Sequence, residues 1–152
     1  QVSTLETEVS SLETTLGGAV LPVTFLDSNL EAAIRGEINK PSGPIYTFDL
    51  EAIILLDAPE RGISDITGLE YCLNLEELWL QDNNISDISA LAGLSKLELL
   101  FLAGNNISDI SALVDNVEFS NGDTVGLTGN PLSAEYNIYI PQLEEKGVTV
   151  YY

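Results

Sequence analysis

Three aspartates, Asp65, Asp87 and Asp109, recur at a constant interval along the chain. Carboxylates repeated in register could attract calcium, which prefers oxygen ligands. Short polar side chains in turns also accept hydrogen bonds from the nearby backbone, and we favour this explanation for all three positions. We interpret the acidic segment 115–123 (DNVEFSNGD) as a loose loop that could hold a cation weakly. The sequence therefore predicts no metal centre and no cofactor.

The chain lacks the residues on which many hydrolytic and metal-dependent enzymes rely. It contains no histidine, so it offers no histidine-based triad and no zinc site of the common kinds. Its carboxylates form no recognisable acid–base pair. We expect a protein that is not an enzyme, and we predict no catalytic residue.

Two large aromatic residues, Trp79 and Phe101, are separated by the same interval as the aspartates. Trp79 alternates with Leu78 and Leu80, a period of two that points the leucines inward and the indole outward from a short strand. Paired strands lie about 4.8 Å apart, so the two rings should be neighbours on an outer face. Such a patch marks a binding interface more often than chance. The alternative is that the rings only pack on each other and stabilise the sheet.

Alignment of the repeats extends this aromatic pair to a whole face. The outward positions are Leu55, Glu77, Leu99 and Thr124 in one column, Asp57, Trp79, Phe101 and Gly126 in a second, and Pro59, Gln81, Ala103 and Thr128 in a third. The residues predicted to bind a ligand are Trp79, Phe101, Leu99, Leu55, Asp57, Glu77 and Gln81. A protein or a glycan is the kind of ligand expected there.

An internal repeat positions these side chains. The heptapeptide NNISDIS occurs at 83–89 and again at 105–111. The two copies align Leu75, Leu78, Leu80, Asn83, Ile85, Ile88 and Leu91 with Leu97, Leu100, Leu102, Asn105, Ile107, Ile110 and Leu113. This is the spacing of a leucine-rich repeat, with one copy before it and, after a three-residue insertion, one copy after it. It predicts an α/β solenoid of about four coils with parallel strands on the concave face.

An asparagine leaves each strand at an equivalent corner, at Asn83, Asn105 and Asn130. A side-chain amide at such a corner can bond backbone groups that the turn leaves unpaired. We interpret the three asparagines as a structural ladder. The alternative is a polar ligand site.

The repeat ending in ISDIT or ISDIS resembles the internalin-type leucine-rich repeats of exported bacterial proteins. Residues 25–38 (FLDSNLEAAIRGEI) resemble the helical N-terminal cap of that family, and residues 129–152 resemble the closing segment of many bacterial members. The similarity covers about residues 23–152. It implies a binding or adhesion scaffold that is extracellular or displayed on the bacterial cell surface.

The first residues follow a different pattern. Apolar side chains recur at Val2, Leu5, Val9, Leu12 and Leu16, a heptad spacing typical of a coiled-coil helix. We predict a stalk over 1–18, a linker over 19–22 and a repeat domain over 23–152, divided into an N-cap (23–50), repeats (51–132) and a C-cap (133–152). The helix would pair with a second copy in a homo-oligomer, with another chain or with its own domain.

Each end of a solenoid needs a cap, because the terminal coil would otherwise expose its core. At the N-terminal end, Ser28 begins a capping-box pattern and should start a helix. At the C-terminal end, Ser133 is expected to cap a helix over 135–146 in which Pro141 causes a kink or a break. A last strand is predicted over 148–152.

The composition limits the partners. The net charge of −19 repels nucleic acid and anionic membranes. The single cysteine, Cys72, aligns with a core leucine and should be a buried thiol.

No apolar run approaches the ~20 residues of a membrane span. Because the chain begins with Gln1 and contains no methionine, we expect a processed form or a fragment from which a signal peptide or anchor is missing.

Two functions agree with these observations. In the first, the protein is a non-enzymatic extracellular interaction or adhesion module that binds a protein or glycan through its concave strand face. In the alternative, it is a self-assembling structural subunit of a surface filament or layer. Copies would then join through that face, through the N-terminal helix or through the edge of the last strand.

Overall fold

Each repeat contributes one short strand to a parallel sheet. A computed structural model describes residues 21–152, and the predicted stalk over 1–18 lies outside them. The strands are β1 (Leu55–Asp57), β2 (Glu77–Trp79), β3 (Leu99–Phe101), β4 (Thr124–Gly126) and β5 (Thr149–Tyr151). Each pairs in parallel with the next one in the chain, so the order in the sheet is the order in the sequence. The predicted α/β solenoid is confirmed.

The inward residues of the strands form one continuous column of the core. Leu56 pairs in register with Leu78, Leu78 with Leu100, and Leu100 with Val125. The other inward positions of the repeat are buried with them, namely Ile63, Leu80, Ile85, Leu102, Ile107 and Leu127. One coil alone cannot exclude water from its leucines, so burial requires the neighbouring coils.

Cys72 lies in this core, as predicted. Burial, together with the charge of Glu70, raises the pKa of its thiol to about 12. The thiol is therefore protonated at neutral pH and is not a nucleophile.

Two helices cover the first coil. They are α1 (Ser28–Glu37) and α2 (Thr47–Leu50). Leu30 and Ile34 on the inner side of α1 have no solvent exposure. This apolar side replaces the coil that would otherwise precede β1, and it closes the core at that end.

Helix α1 begins at Ser28 as predicted, but its N-cap residue is Asp27, which corrects the predicted capping box at Ser28. One oxygen of the Asp27 carboxylate accepts hydrogen bonds from the N–H groups of Asn29 (2.8 Å) and Leu30 (3.1 Å). Its other oxygen accepts from the N–H (2.8 Å) and the hydroxyl (2.9 Å) of Ser64 in the first coil. A carboxylate has two oxygens, whereas a serine hydroxyl has one. Asp27 can therefore cap the helix with one oxygen and bind Ser64 of the first coil with the other.

Short helices and turns form the side of the solenoid opposite the sheet. The 3-10 helices Leu69–Tyr71 and Ser89–Leu91 occupy equivalent places in successive coils, and α3 (Ser111–Asp115) occupies the next. Each repeated aspartate uses its Oδ1 to accept a hydrogen bond of 2.8 Å from the backbone N–H two residues ahead. These bonds are the turn-forming role that the sequence predicts for Asp65, Asp87 and Asp109.

The asparagine at each corner joins two coils. Asn105 Oδ1 accepts a hydrogen bond from the Ile85 N–H (3.0 Å). Its Nδ2 donates to the carbonyls of Leu80 (2.8 Å) and Leu102 (3.0 Å). The other two asparagines of the ladder make equivalent bonds. Each amide thus ties the backbone of its own coil to that of the preceding one.

The acidic segment 115–123 is anchored, which corrects the expectation of a loose loop. Phe119 is buried, and so is Asn116, whose Nδ2 donates to a carbonyl of the preceding coil at 3.0 Å. Lys146 Nζ donates to the carbonyls of Val114 (2.8 Å) and Asn116 (3.1 Å). The inserted residues keep their place because they bury the aromatic ring of Phe119 in the core.

Helix α4 (Tyr136–Glu145) covers the last coil and continues through Pro141. Of the predicted kink or break at Pro141, the break is therefore wrong. A proline inside a helix removes one backbone hydrogen bond and crowds the preceding turn. Burial of Ile140 and Leu143 on the core holds the helix together across this position.

Ser133 does not cap α4 with its side chain. Glu135 occupies the N-cap position without a side-chain bond, and the Ser133 carbonyl accepts the Tyr136 N–H at 3.1 Å. Strand β5 follows α4 and pairs with β4, within the predicted range 148–152.

Candidate binding face

The strand register brings the outward residues into two rows. The row at the strand starts is Leu55, Glu77, Leu99, Thr124 and Thr149, and the row at the strand ends is Asp57, Trp79, Phe101, Gly126 and Tyr151. The first four members of each row are those that the alignment predicts. We call the surface formed by these two rows the strand face.

The aromatic pair lies at the middle of the strand face. The ring centroids of Trp79 and Phe101 are 4.7 Å apart, and the ring planes are inclined by 44°. Both side chains are half-buried, less exposed than two isolated rings would be, because each covers part of the other. The rings thus pack across strands and still present one joint apolar surface to solvent.

Gly126 leaves space beside this pair. A Cβ atom at Gly126 would lie 3.1 Å from Cδ1 of Phe101, so the absence of a side chain allows the phenyl ring to approach β4. Beyond Gly126 in the same row, Tyr151 is 58% exposed. Tyr151 is not among the residues that the sequence predicts for this face. Aligning the last strand with the repeats in the register of Gly126 would have found it.

The charged residues of the strand face are both acidic. Asp57 is exposed and is the register partner of Trp79. Glu77 is half-buried, and its Oε2 accepts a hydrogen bond of 3.3 Å from the indole Nε1–H of Trp79. The indole therefore has one carboxylate on the neighbouring strand and another on its own strand.

Gln81 lies just beyond β2, in the third predicted column. Its side chain is half-buried, and within residues 21–152 its Oε1 has no hydrogen-bond donor and no solvent contact. An enclosed oxygen cannot meet a ligand. Gln81 can therefore contribute only its remaining surface to the candidate site.

Other chemistry is sparse in the described part of the chain. No group of three or more Cys, Asp or Glu side chains between residues 21 and 152 is arranged to hold a metal ion. None of the helices in that range is both long and apolar enough to cross a membrane.

Known proteins share this repeat. A family model of leucine-rich repeats (two copies) matches residues 73–115. An internalin (inlF) of Listeria monocytogenes is 35% identical in a match covering 76% of this chain and 35% of that one, with a TM-score of 0.68. Internalin C2 (inlC2) of the same organism is 26% identical, covering 88% and 59%, with a TM-score of 0.71. No curated protein matches the chain significantly.

A structure from Clostridium perfringens is similar over a shorter stretch. It is that of CBM51-2 in complex with GlcNAc and INT domains of ZmpB, which is 31% identical over 57% of this chain and 18% of that one, with a TM-score of 0.52. The chain spans less than two thirds of each of the three proteins. The repeat motif, the stacking of its coils and the two internalin structures agree, and the chain is a leucine-rich repeat protein whose repeats are similar to those of internalins.

Proposed function

We propose that this protein is a non-enzymatic extracellular module that binds a partner protein through the strand face, with Trp79 and Phe101 at the centre of the contact. An internalin-type leucine-rich repeat domain is a protein-interaction module. The proposal adds the surface, the residues and an adhesive role outside the cell. Export is inferred from the resemblance of the repeats to those of exported bacterial proteins.

The observation that carries the proposal is the contact between the two rings on an open sheet face. Trp79 and Phe101 keep part of their surface in water although their ring centroids are only 4.7 Å apart. Covering apolar surface contributes roughly 25 cal/mol for each Å², and aromatic side chains supply much of the binding energy at protein interfaces. A partner that covers both rings at once gains this contribution with little cost in side-chain ordering, because the rings already hold each other in place.

The surroundings of the rings favour a protein over a glycan. Leu55 (38% exposed) and the half-buried Leu99 continue the apolar surface along the adjacent row. A sugar brings hydroxyl groups that must keep hydrogen-bond partners when they leave water. Leu55 and Leu99 offer no such partners and fit the apolar side chains of a protein, and Glu77 beside the indole already accepts a hydrogen bond from its N–H.

Self-assembly is a second candidate, favoured by the last strand. Within residues 21–152, β5 pairs only with β4. Next to its open edge, Tyr151 and Tyr152 are 58% and 60% exposed. An open strand edge is a template for pairing with another chain. The protein would then be a structural subunit of a surface filament or layer.

The test compares two double variants. Trp79→Ser/Phe101→Ser removes the aromatic pair, and Tyr71→Ser/Leu73→Ser removes two exposed apolar side chains (44% and 57%) from the turn side. Wild type and both variants are immobilised and exposed to the same extract of cell-surface proteins. We expect the control to retain the proteins that wild type retains, and the aromatic variant to lose them.

Retention of the same proteins by all three forms would remove the strand face from consideration. Sedimentation of the three forms at low and high salt tests the second candidate function, self-assembly. Assembly that survives loss of the aromatic pair but fails when a proline replaces Val150 would assign it to the edge of β5, since proline removes a backbone donor.

A further inference from the structure

Two carboxylates flank the indole of Trp79. In the order β1, β2, β3 the neighbours of Trp79 are Asp57 on one side and Phe101 on the other. Phe101 covers the side of the indole that faces β3, so the side that faces Asp57 remains uncovered. Glu77, two residues earlier in β2, accepts the indole N–H. The uncovered part of the indole therefore lies next to two negative charges.

Four of the five basic residues are engaged elsewhere. Both ion pairs within residues 21–152 lie in the N-terminal cap and use Arg35 and Lys40. Lys96 Nζ donates to an asparagine side chain, and Lys146 Nζ donates to two backbone carbonyls. Arg61 forms no ion pair in that range. The two carboxylates beside the indole thus have no cationic partner between residues 21 and 152.

We infer that the partner presents a cationic segment to the strand face, with a lysine or arginine side chain on the indole of Trp79 between Asp57 and Glu77. This inference rests on the proposed function and specifies the chemistry of the partner. The face of an indole attracts a cation, and the two carboxylates add to that attraction. A protein that covers the site excludes water, which strengthens both interactions.

The charge of the whole chain acts in the same direction. A net charge of −19 speeds the approach of a basic partner and slows that of an acidic one. No lysine or arginine belongs to either row of the strand face. A basic segment therefore meets no like charge within the two rows.

The chain contains one tryptophan, so tryptophan fluorescence reports on Trp79 alone. The probe is a short peptide of alternating arginine and leucine, and its counterpart carries glutamate in place of each arginine. We expect the arginine peptide to change the fluorescence of the full chain to saturation, with weaker binding at higher salt. We expect no such change with the glutamate peptide. Equal changes with both peptides, or none with either, would overturn the inference.

Two variants with the same change in net charge locate the effect. Asp57→Asn/Glu77→Gln neutralises the carboxylates beside the indole, and the glutamine retains an acceptor for its N–H. The control, Asp115→Asn/Glu118→Gln, neutralises two exposed carboxylates on the turn side. We expect the first variant to bind the arginine peptide roughly tenfold more weakly and the control to differ by less than about twofold. Equal weakening in both variants would mean general charge attraction and would overturn the site.

This result is distinguishable from failure of the proposed function. If Trp79→Ser/Phe101→Ser loses the retained proteins while Asp57→Asn/Glu77→Gln keeps them, the strand face remains the binding surface and the cationic segment is rejected. If both variants keep them, both proposals fail.

Discussion

Asn105 shows how a single polar residue holds two coils together. Its amide is buried and bonds backbone groups of two successive coils, including the Ile85 N–H and the Leu80 carbonyl. An apolar side chain of the same volume would fill the space but leave those groups unpaired. A buried group without a hydrogen bond costs about 1–3 kcal/mol. This cost explains why the corner carries an amide among so many leucines and isoleucines.

We expect Asn105→Ala to lower the free energy of unfolding by roughly 2–4 kcal/mol, because at least two buried backbone groups lose their partner. The control is Asn106→Ala, since Asn106 is the exposed neighbour in the same repeat, and a loss below about 0.5 kcal/mol is expected there. Urea denaturation measures both. Equal losses in the two variants would mean that the amide bonds do not stabilise the stack.

At the scale of elements, one carboxylate joins the N-terminal cap to the first coil. Burial alone would raise the pKa of Asp27, but hydrogen bonds from Ser64, Leu30 and Asn29 outweigh it and lower the pKa from 3.8. A group with a lowered pKa in the folded state contributes stability above its unfolded pKa. That stability is lost as the pH falls through the folded value. The junction between cap and coil should therefore weaken below pH 3.8.

Asp27→Asn tests this junction. We expect it to lower the free energy of unfolding by about 1 kcal/mol at neutral pH. Both oxygens of the Asp27 carboxylate accept hydrogen bonds, and the substitution replaces one of them by an NH2 group, which can only donate. As the pH falls below 3.8 the difference from wild type should shrink, since wild type then loses its own carboxylate. Thermal unfolding followed over a pH series is the measurement. A difference that stays constant down to low pH would exclude the ionised carboxylate as the cause.

The N-terminal segment should be dispensable for folding. Leu30 and Ile34 of α1 already close the core at that end, so deletion of residues 1–18 should leave the melting temperature of the repeat domain unchanged. Sedimentation then reports whether the segment joins copies of the chain. A domain that unfolds on deletion would place the segment within the cap.

The elements also show what could be predicted from the sequence. The strands and their register follow from the repeat, because the alternation along each strand and the alignment of the copies together fix which side chains face inward. Outside the repeat there is no second copy to align. The N-cap at Asp27 and the unbroken helix at Pro141 both depend on contacts with the repeats, and local sequence patterns do not contain those contacts.

At the scale of the whole molecule, the charge is the dominant feature. The chain has 24 acidic and 5 basic residues, and repulsion among like charges opposes the compact state. Salt screens charges more than about 10 Å apart at 0.1 M ionic strength. Screening should therefore stabilise this protein, although it weakens the attraction of a basic partner.

We expect the melting temperature to rise with sodium chloride by a few degrees, the shift that corresponds to about 1 kcal/mol in a domain of this size. Glu144→Gln/Glu145→Gln removes two exposed negative charges at the end of α4, where the helix dipole also disfavours them. This variant should melt higher than wild type at low salt and respond less to added salt.

Calcium chloride at the same ionic strength distinguishes screening of the charges from binding of the ion. Equal melting temperatures in the two salts support screening, whereas an additional rise with calcium would mean that the acidic surface holds the ion at a defined site.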